Sequence, residues 1–226
     1  MCDYQDKVLD VINNAQQYHN AFYLMLIRPG TNEIILGPEF YFHKRSIEMI
    51  DSANFTLYIE YIYATLATWG MNRAGRNGPK MNEFEIFKDS IMEIENTIRQ
   101  ARNIDYMNLT ENDWSIIEKI FRGINIMLTN TKIVGHSKVM AHLTPKLIPP
   151  VDGRHTLNRF LNKNVREGLD RGWEQMKEIL SKFFYPIARE LRFIAQANEW
   201  MGNQVNYPWD TSIFKIIDNL ILGATN

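Results

Sequence analysis

Cysteine is almost absent: Cys2 is the single one in 226 residues. No internal disulfide is available, and a reducing, cytoplasmic setting is expected. Net charge is nearly absent too. The 25 Lys and Arg against 26 Asp and Glu give −1, which excludes a global pull toward nucleic acid or an anionic membrane. A nucleic-acid contact then has to come from a local patch. Long apolar runs are also missing. The most apolar stretch, Phe55 to Trp69, carries Glu60 and is too short and too polar to span a bilayer, so no membrane partner is expected. No charged leader followed by an apolar core opens the chain, so no signal peptide is expected. There is no Walker phosphate loop and no Gly-x-Ser-x-Gly elbow.

What is present is apolar and aromatic material, 45% and 12% of the chain, enough for a sizeable core. Val8, Val11, Ile12, Ala15 and Tyr18 recur at helical spacing, which predicts a helix near residues 4–20. Around Pro29-Gly30, the apolar run from Phe22 and the alternation Ile34, Leu36, Phe40, Phe42 read as two short strands; the rival reading continues the first helix to Ile27. Asn54 caps an apolar helix from Phe55 to Trp69. Residues 70–81 are a loop whose Arg73 and Arg76 offer charge to an anion. Asn82 with Glu85, and Thr110 with Asp113, open further helices. A long helical run from Leu169 to Ile194 is interrupted at Pro186. Asp210 caps a last helix stopped at Gly223. Trp114, Trp173, Trp200 and Trp209 offer rings on which bases could stack, but at helical spacing they read as core residues. The pattern predicts a mainly α fold, one multi-helix domain over residues 1–226. Two helical lobes flank a cleft, with a small N-terminal β-hairpin in one reading.

Residues 131–160, at the junction of the lobes, gather glycine, lysine, histidine, tandem proline and aspartate. Val134-Gly135-His136-Ser137-Lys138 reads as a tight turn opening a helix near Ser137, whose free amides make a phosphate seat. A lysine in that first turn faces the unfavourable end of the helix dipole, which favours the neutral amine a Schiff-base nucleophile must be. Pro149-Pro150 enforces an extended approach to Asp152, which caps the next helix. From Lys132 to Arg171, eight Lys and Arg stand against three acids, a local 8 − 3 = +5. His136 and His142 point to different helix faces and form no metal pair; neither a metal nor a cofactor is expected.

These residues resemble the helix-hairpin-helix DNA glycosylases, in which a glycine hairpin with a lysine leads to a Val-Asp motif and a downstream arginine. Here Gly135 to Lys138 stands at the hairpin, Val151-Asp152-Gly153-Arg154-His155 at the aspartate motif, and Arg159 downstream. The resemblance covers residues 131–160. The interval from Lys138 to Asp152 is shorter than the family's, the histidine falls one place late, and Thr131-Lys132-Ile133 replaces the usual Leu-Pro-Gly entry. The segments Trp69 to Arg73, Ser137 to Met140 and Ile148 to Asp152 are also similar to uncharacterised microbial proteins. The resemblance implies a DNA partner, with Gly135, His136, Ser137, Arg154, His155, Arg159, Arg73 and Arg76 as contacts. Lys138 is the implied nucleophile at the sugar C1′ and Asp152 its base and electrostatic partner, acting on a flipped base. The alternative is a non-catalytic nucleic-acid- or protein-binding helical protein that keeps only the fold.

Overall fold

The computed structural model describes residues 3–72 and 79–226. Among them are twelve α-helices: α1 (Tyr4–Asn13), α2 (Ala15–Leu26), α3 (Pro38–Glu48), α4 (Phe55–Leu66), α5 (Phe84–Glu93), α6 (Glu95–Ala101), α7 (Glu111–Gly123), α8 (Lys132–Leu143), α9 (Leu169–Ile179), α10 (Tyr185–Leu191), α11 (Ala195–Gly202) and α12 (Ile213–Thr225). Short π-helical turns follow α4 (Ala67–Met71) and α9 (Leu180–Phe184), and a longer one, Gly153–Phe160, follows the tandem prolines. The described residues are mainly helical, as the periodicity predicts, and include no strand. No helix among them is long and apolar enough to cross a membrane.

The N-terminal β-hairpin is corrected. Gly30 takes the left-handed φ of 81° that the Pro-Gly turn needs, but only one bridge, Ile27 to Ile34, forms around it. Gly37-Pro38 then opens α3, because proline at a first helical position fixes φ without forfeiting a needed N–H. The first helix is likewise two helices, broken at Asn14, whose side chain bonds back to Asp10.

Cap chemistry sets several starts where the sequence placed them. Asn54 accepts from the Leu57 amide, and Glu60 on the helix it opens is exposed to water. Thr110 and Asp113 form a reciprocal capping box on α7. Thr110→Ala is expected to lower stability by about 1 kcal/mol. In a thermal melt that is a fall of roughly 2–4 °C for a chain of this size.

Two assignments at the C-terminus change. Ser212, not Asp210, caps α12. Gly223 does not stop that helix but lies within it, against α2. A Cβ on Gly223 would sit 1.9 Å from the Tyr18 carbonyl oxygen and 3.0 Å from the Phe22 amide nitrogen. The two backbones touch there, which only glycine permits. The main core joins most elements, with Tyr58, Ile59, Ile62 and Leu66 of α4 fully buried. Phe22, Tyr23 and Trp209 form a second, smaller cluster where α2 and the segment before α12 meet.

Candidate functional site

α8 starts five residues earlier than the sequence suggests. It runs unbroken from Lys132, so Gly135, His136 and Ser137 are buried inside a helix rather than exposed on a turn. Their amides belong to the helix ladder, and the expected phosphate seat does not form. Gly135 is small for packing: a Cβ there would lie 2.4 Å from Met127 Cγ. His136 donates through Nδ1 to the Phe121 carbonyl at 2.8 Å, and burial pushes its pKa down to about 4. Lys138 stands in the second turn of α8, away from the helix end, so the dipole argument for a neutral amine falls.

Ser137 has a different task. Its hydroxyl donates to the Val134 carbonyl at 3.2 Å and accepts from the Val151 amide at 3.0 Å. That bond fastens the extended Pro149–Asp152 segment onto α8, one residue from Lys138. Asp152 then divides its oxygens. Oδ1 caps the following π-helical segment through the Arg154 and His155 amides, at 2.8 and 2.9 Å. Oδ2 accepts from Lys138 Nζ at 3.2 Å. Burial works to raise the Asp152 pKa, but the Lys138 charge and the two amides outweigh it, so the carboxyl lies below its ordinary value.

This pair lines a cavity of about 280 Å³ together with Phe22, Leu26, Glu39, Trp69, Pro150, Trp209, Lys215, Asp218 and Leu222. The volume is just below the roughly 300–1,000 Å³ of most small-molecule pockets, so one small ring system is the scale of ligand it suits. Two lysines against three carboxylates leave the lining at −1, which does not favour a phosphate inside. Trp69 borders the cavity from the π-helical turn after α4, where Gly70 turns the chain with φ 75°. Lys138 Nζ lies 5.6 Å from its ring centroid. Trp209 stacks on His43 at 5.3 Å, and its indole N–H is buried without a partner among the described residues.

A chain of three hydrogen bonds runs beneath the lysine. His142 Nδ1 donates to the carbonyl of Lys138 at 2.8 Å. Its Nε2 is therefore the acceptor for His43 Nδ1 at 3.1 Å, and His43 Nε2 in turn accepts from Thr211 Oγ1 at 3.2 Å. Both rings are neutral in this arrangement. Burial lowers the pKa of each, to about 4 for His142 and well below the ordinary value for His43.

Of the other expected contacts, Arg154 and Arg159 are exposed, and His155 is half-buried with Nδ1 against Thr225 Oγ1 at 2.9 Å. Arg73 and Arg76 fall outside the described residues. The basic stretch is partly spent within the protein: Lys138 pairs with Asp152, and Lys163 and Arg166 both pair with Glu178. Among the described residues no group of three or more His, Cys, Asp or Glu is placed to hold a metal ion. Compared with family models, curated proteins and solved structures, the chain matches none.

Sequence reasoning missed Lys215, Asp218, Trp69 and Phe22 as cavity residues; Trp209 is buried as expected of a core residue and also borders the cavity. One pattern pointed to two of them. In α12, Lys215, Asp218 and Asn219 stand at helical spacing amid Phe214, Ile216, Ile217, Leu220 and Ile221. That is a polar stripe in a helix buried on every side.

Proposed function

We propose that this chain is a DNA-binding protein that draws a nucleobase into the Trp69–Trp209 cavity and acts at the sugar carbon through Lys138. This is the activity implied by its resemblance to the helix-hairpin-helix glycosylases. One domain whose two helical lobes flank that cavity is the architecture proposed with it, in a cytoplasmic setting. The observation that carries the reading is the 3.2 Å pairing of Lys138 with Asp152 in the wall of an aromatic cavity. Aromatic rings supply the stacking surface an unpaired base seeks. A base must leave the duplex before its sugar carbon can be reached.

At an abasic site, Lys138 sheds a proton toward Asp152 and its amine adds to the aldehyde carbon. A C–N bond forms, the aldehyde oxygen leaves as water, and an imine links protein and DNA. Arg154 and Arg159, exposed just after Asp152, are the proposed phosphate contacts. Borohydride tests the step by delivering hydride to the imine and fixing the adduct. Wild-type protein is expected to give a trapped species with abasic duplex, and Lys138→Ala none. An equal adduct from the alanine variant ends the lysine assignment. Removing Arg154 and Arg159 together is expected to reduce the salt slope of DNA affinity by about 2, one for each phosphate no longer neutralised.

The second reading is a non-catalytic nucleic-acid- or protein-binding helical protein. It is favoured by the course of α8, which places the Gly135, His136 and Ser137 amides inside the helix ladder, where they cannot hold a phosphate. Salt-dependent DNA binding by wild type without any trapped adduct selects this reading. Absence of DNA binding leaves only the protein-binding form of it.

A further inference from the structure

The cavity holds a second lysine–carboxylate pair that the mechanism above does not use. Lys215 Nζ donates to Asp218 Oδ2 at 2.6 Å and to Asn219 Oδ1 at 2.8 Å. Three rings surround it, with Trp209 at 5.3 Å and Phe22 and Trp69 both at 5.9 Å. Both members of the pair are only 7% exposed. A buried charge of this kind is costly. Both ammonium bonds run to residues of the lysine's own helix, and Asn219 extends them to Asp210 at 2.7 Å. An ammonium carries three protons, and among the described residues the third has no acceptor. Asp218 Oδ1 likewise has no donor. The pair therefore presents one donor and one acceptor side by side in the wall of the cavity.

Lys138 adds a second donor on the same cavity, since only one of its protons is engaged, with Asp152. Both ammonium groups border the ring of Trp69. A planar ring lodged among these groups would have ammonium donors from two residues and a carboxylate acceptor to pair with. Two carbonyls and one N–H on the ring match that inventory. An anionic ring is disfavoured by the −1 lining, and a ring offering a single acceptor leaves one ammonium unmatched.

We infer that Lys215 and Asp218 are the specificity-determining pair of this cavity, and that its ligand is an uncharged planar ring with an imide edge. The inference rests on the nucleobase reading above and narrows it to a substrate class. It is tested by titrating the full chain with uracil, 3-methyluracil and adenine while following tryptophan fluorescence, since Trp69 and Trp209 border the site. Uracil is expected to bind about tenfold more tightly than the other two, the discrimination of one hydrogen bond to a charged group. Lys215→Met and Asp218→Asn are each expected to bring the three within about twofold of one another. Circular dichroism reports whether each variant is folded, and if the methionine variant is not, the asparagine variant decides the residue assignment. Equal affinities in wild type, or an unchanged preference in a folded variant, overturn the inference and leave the nucleobase reading standing. If none of the three rings binds, both fall.

Discussion

Lowering the pH from 6.5 to 5 is expected to remove roughly 5 kcal/mol of stability, somewhat over about 1.5 for each of three buried histidines. His43, His136 and His142 are neutral and buried, and desolvation depresses the pKa of each below the ordinary 6.5, to about 4 for His136 and His142. The unfolded chain takes up protons on these residues as the pH falls through 6.5, whereas in the folded chain His136 and His142 do not until about 4 and His43 stays neutral well below its ordinary value. Their stabilising contribution is thus complete above 6.5 and drains away across that interval. Nearby charge reinforces the effect. Lys215 opposes a proton on His43 and His142, His142 opposes one on His43, and Lys132 opposes one on His136. The carboxyls held below their ordinary values, Asp113, Asp152 and Glu178, lose their contributions only at lower pH. Since whole domains are stable by about 5–15 kcal/mol, the loss leaves little reserve at pH 5. Urea denaturation at pH 7, 6 and 5 checks this. The slope of stability against pH should approach three times about 1.4 kcal/mol per unit near pH 5. A flat profile from 7 to 5 would contradict it.

Gly223→Ala should cost about 3 kcal/mol or more, at the upper end of what overpacking a tight contact does. The added methyl would lie 1.9 Å from the Tyr18 carbonyl oxygen and 2.9 Å from its carbon. Those atoms are backbone of α2, and no rotamer change can move them aside. α2 and α12 must part, and the gain of up to about 1 kcal/mol from replacing a helical glycine does not offset that. Gly135→Ala is the comparison. Its methyl meets the buried Met127 side chain at Cγ and Sδ, which has to shift but is not backbone, so a loss of about 1 kcal/mol is expected there. Thermal melts of the two variants should differ by roughly 4 °C or more. Equal melting temperatures would remove the distinction between backbone and side-chain contacts. The parting also reaches the cavity, since α2 carries Phe22 and Leu26 and α12 carries Lys215, Asp218 and Leu222.

Both glycines show where sequence reading stops. Each looks like punctuation in the sequence, a turn at Gly135 and a helix stop at Gly223, because a missing side chain reads the same whether it frees the backbone or makes room for a neighbour. The start of α8 leaves no trace either, as Thr131 makes no side-chain cap. Three caps are readable, since Asn54, Thr110 and Asp152 all accept the amides their positions suggest, whereas Ser212 caps α12 where the sequence favours Asp210. The meeting of Lys138 with Asp152 is also legible, for tandem proline after a helix forces an extended return. The aromatic walls are not, since Phe22, Trp69 and Trp209 come from distant elements and local periodicity says nothing about which of them converge. Asp210 has the sequence position of a cap but is fully buried, bonded to His19 at 2.7 Å and to Asn219 at 2.7 Å.

The bonds from Thr211 through His43 and His142 to the Lys138 carbonyl all point one way. A carbonyl cannot donate, so the terminus fixes the sense of every link before it. Moving the hydrogen of one imidazole to its other nitrogen would set donor against donor or acceptor against acceptor, so neither ring can change tautomer alone. The two behave as a ratchet with a single permitted setting, and the backbone beneath Lys138 is held by it. Each ring keeps its hydrogen on Nδ1, so the nitrogen resonances of His43 and His142 should report that tautomer for both, and both should lose it together.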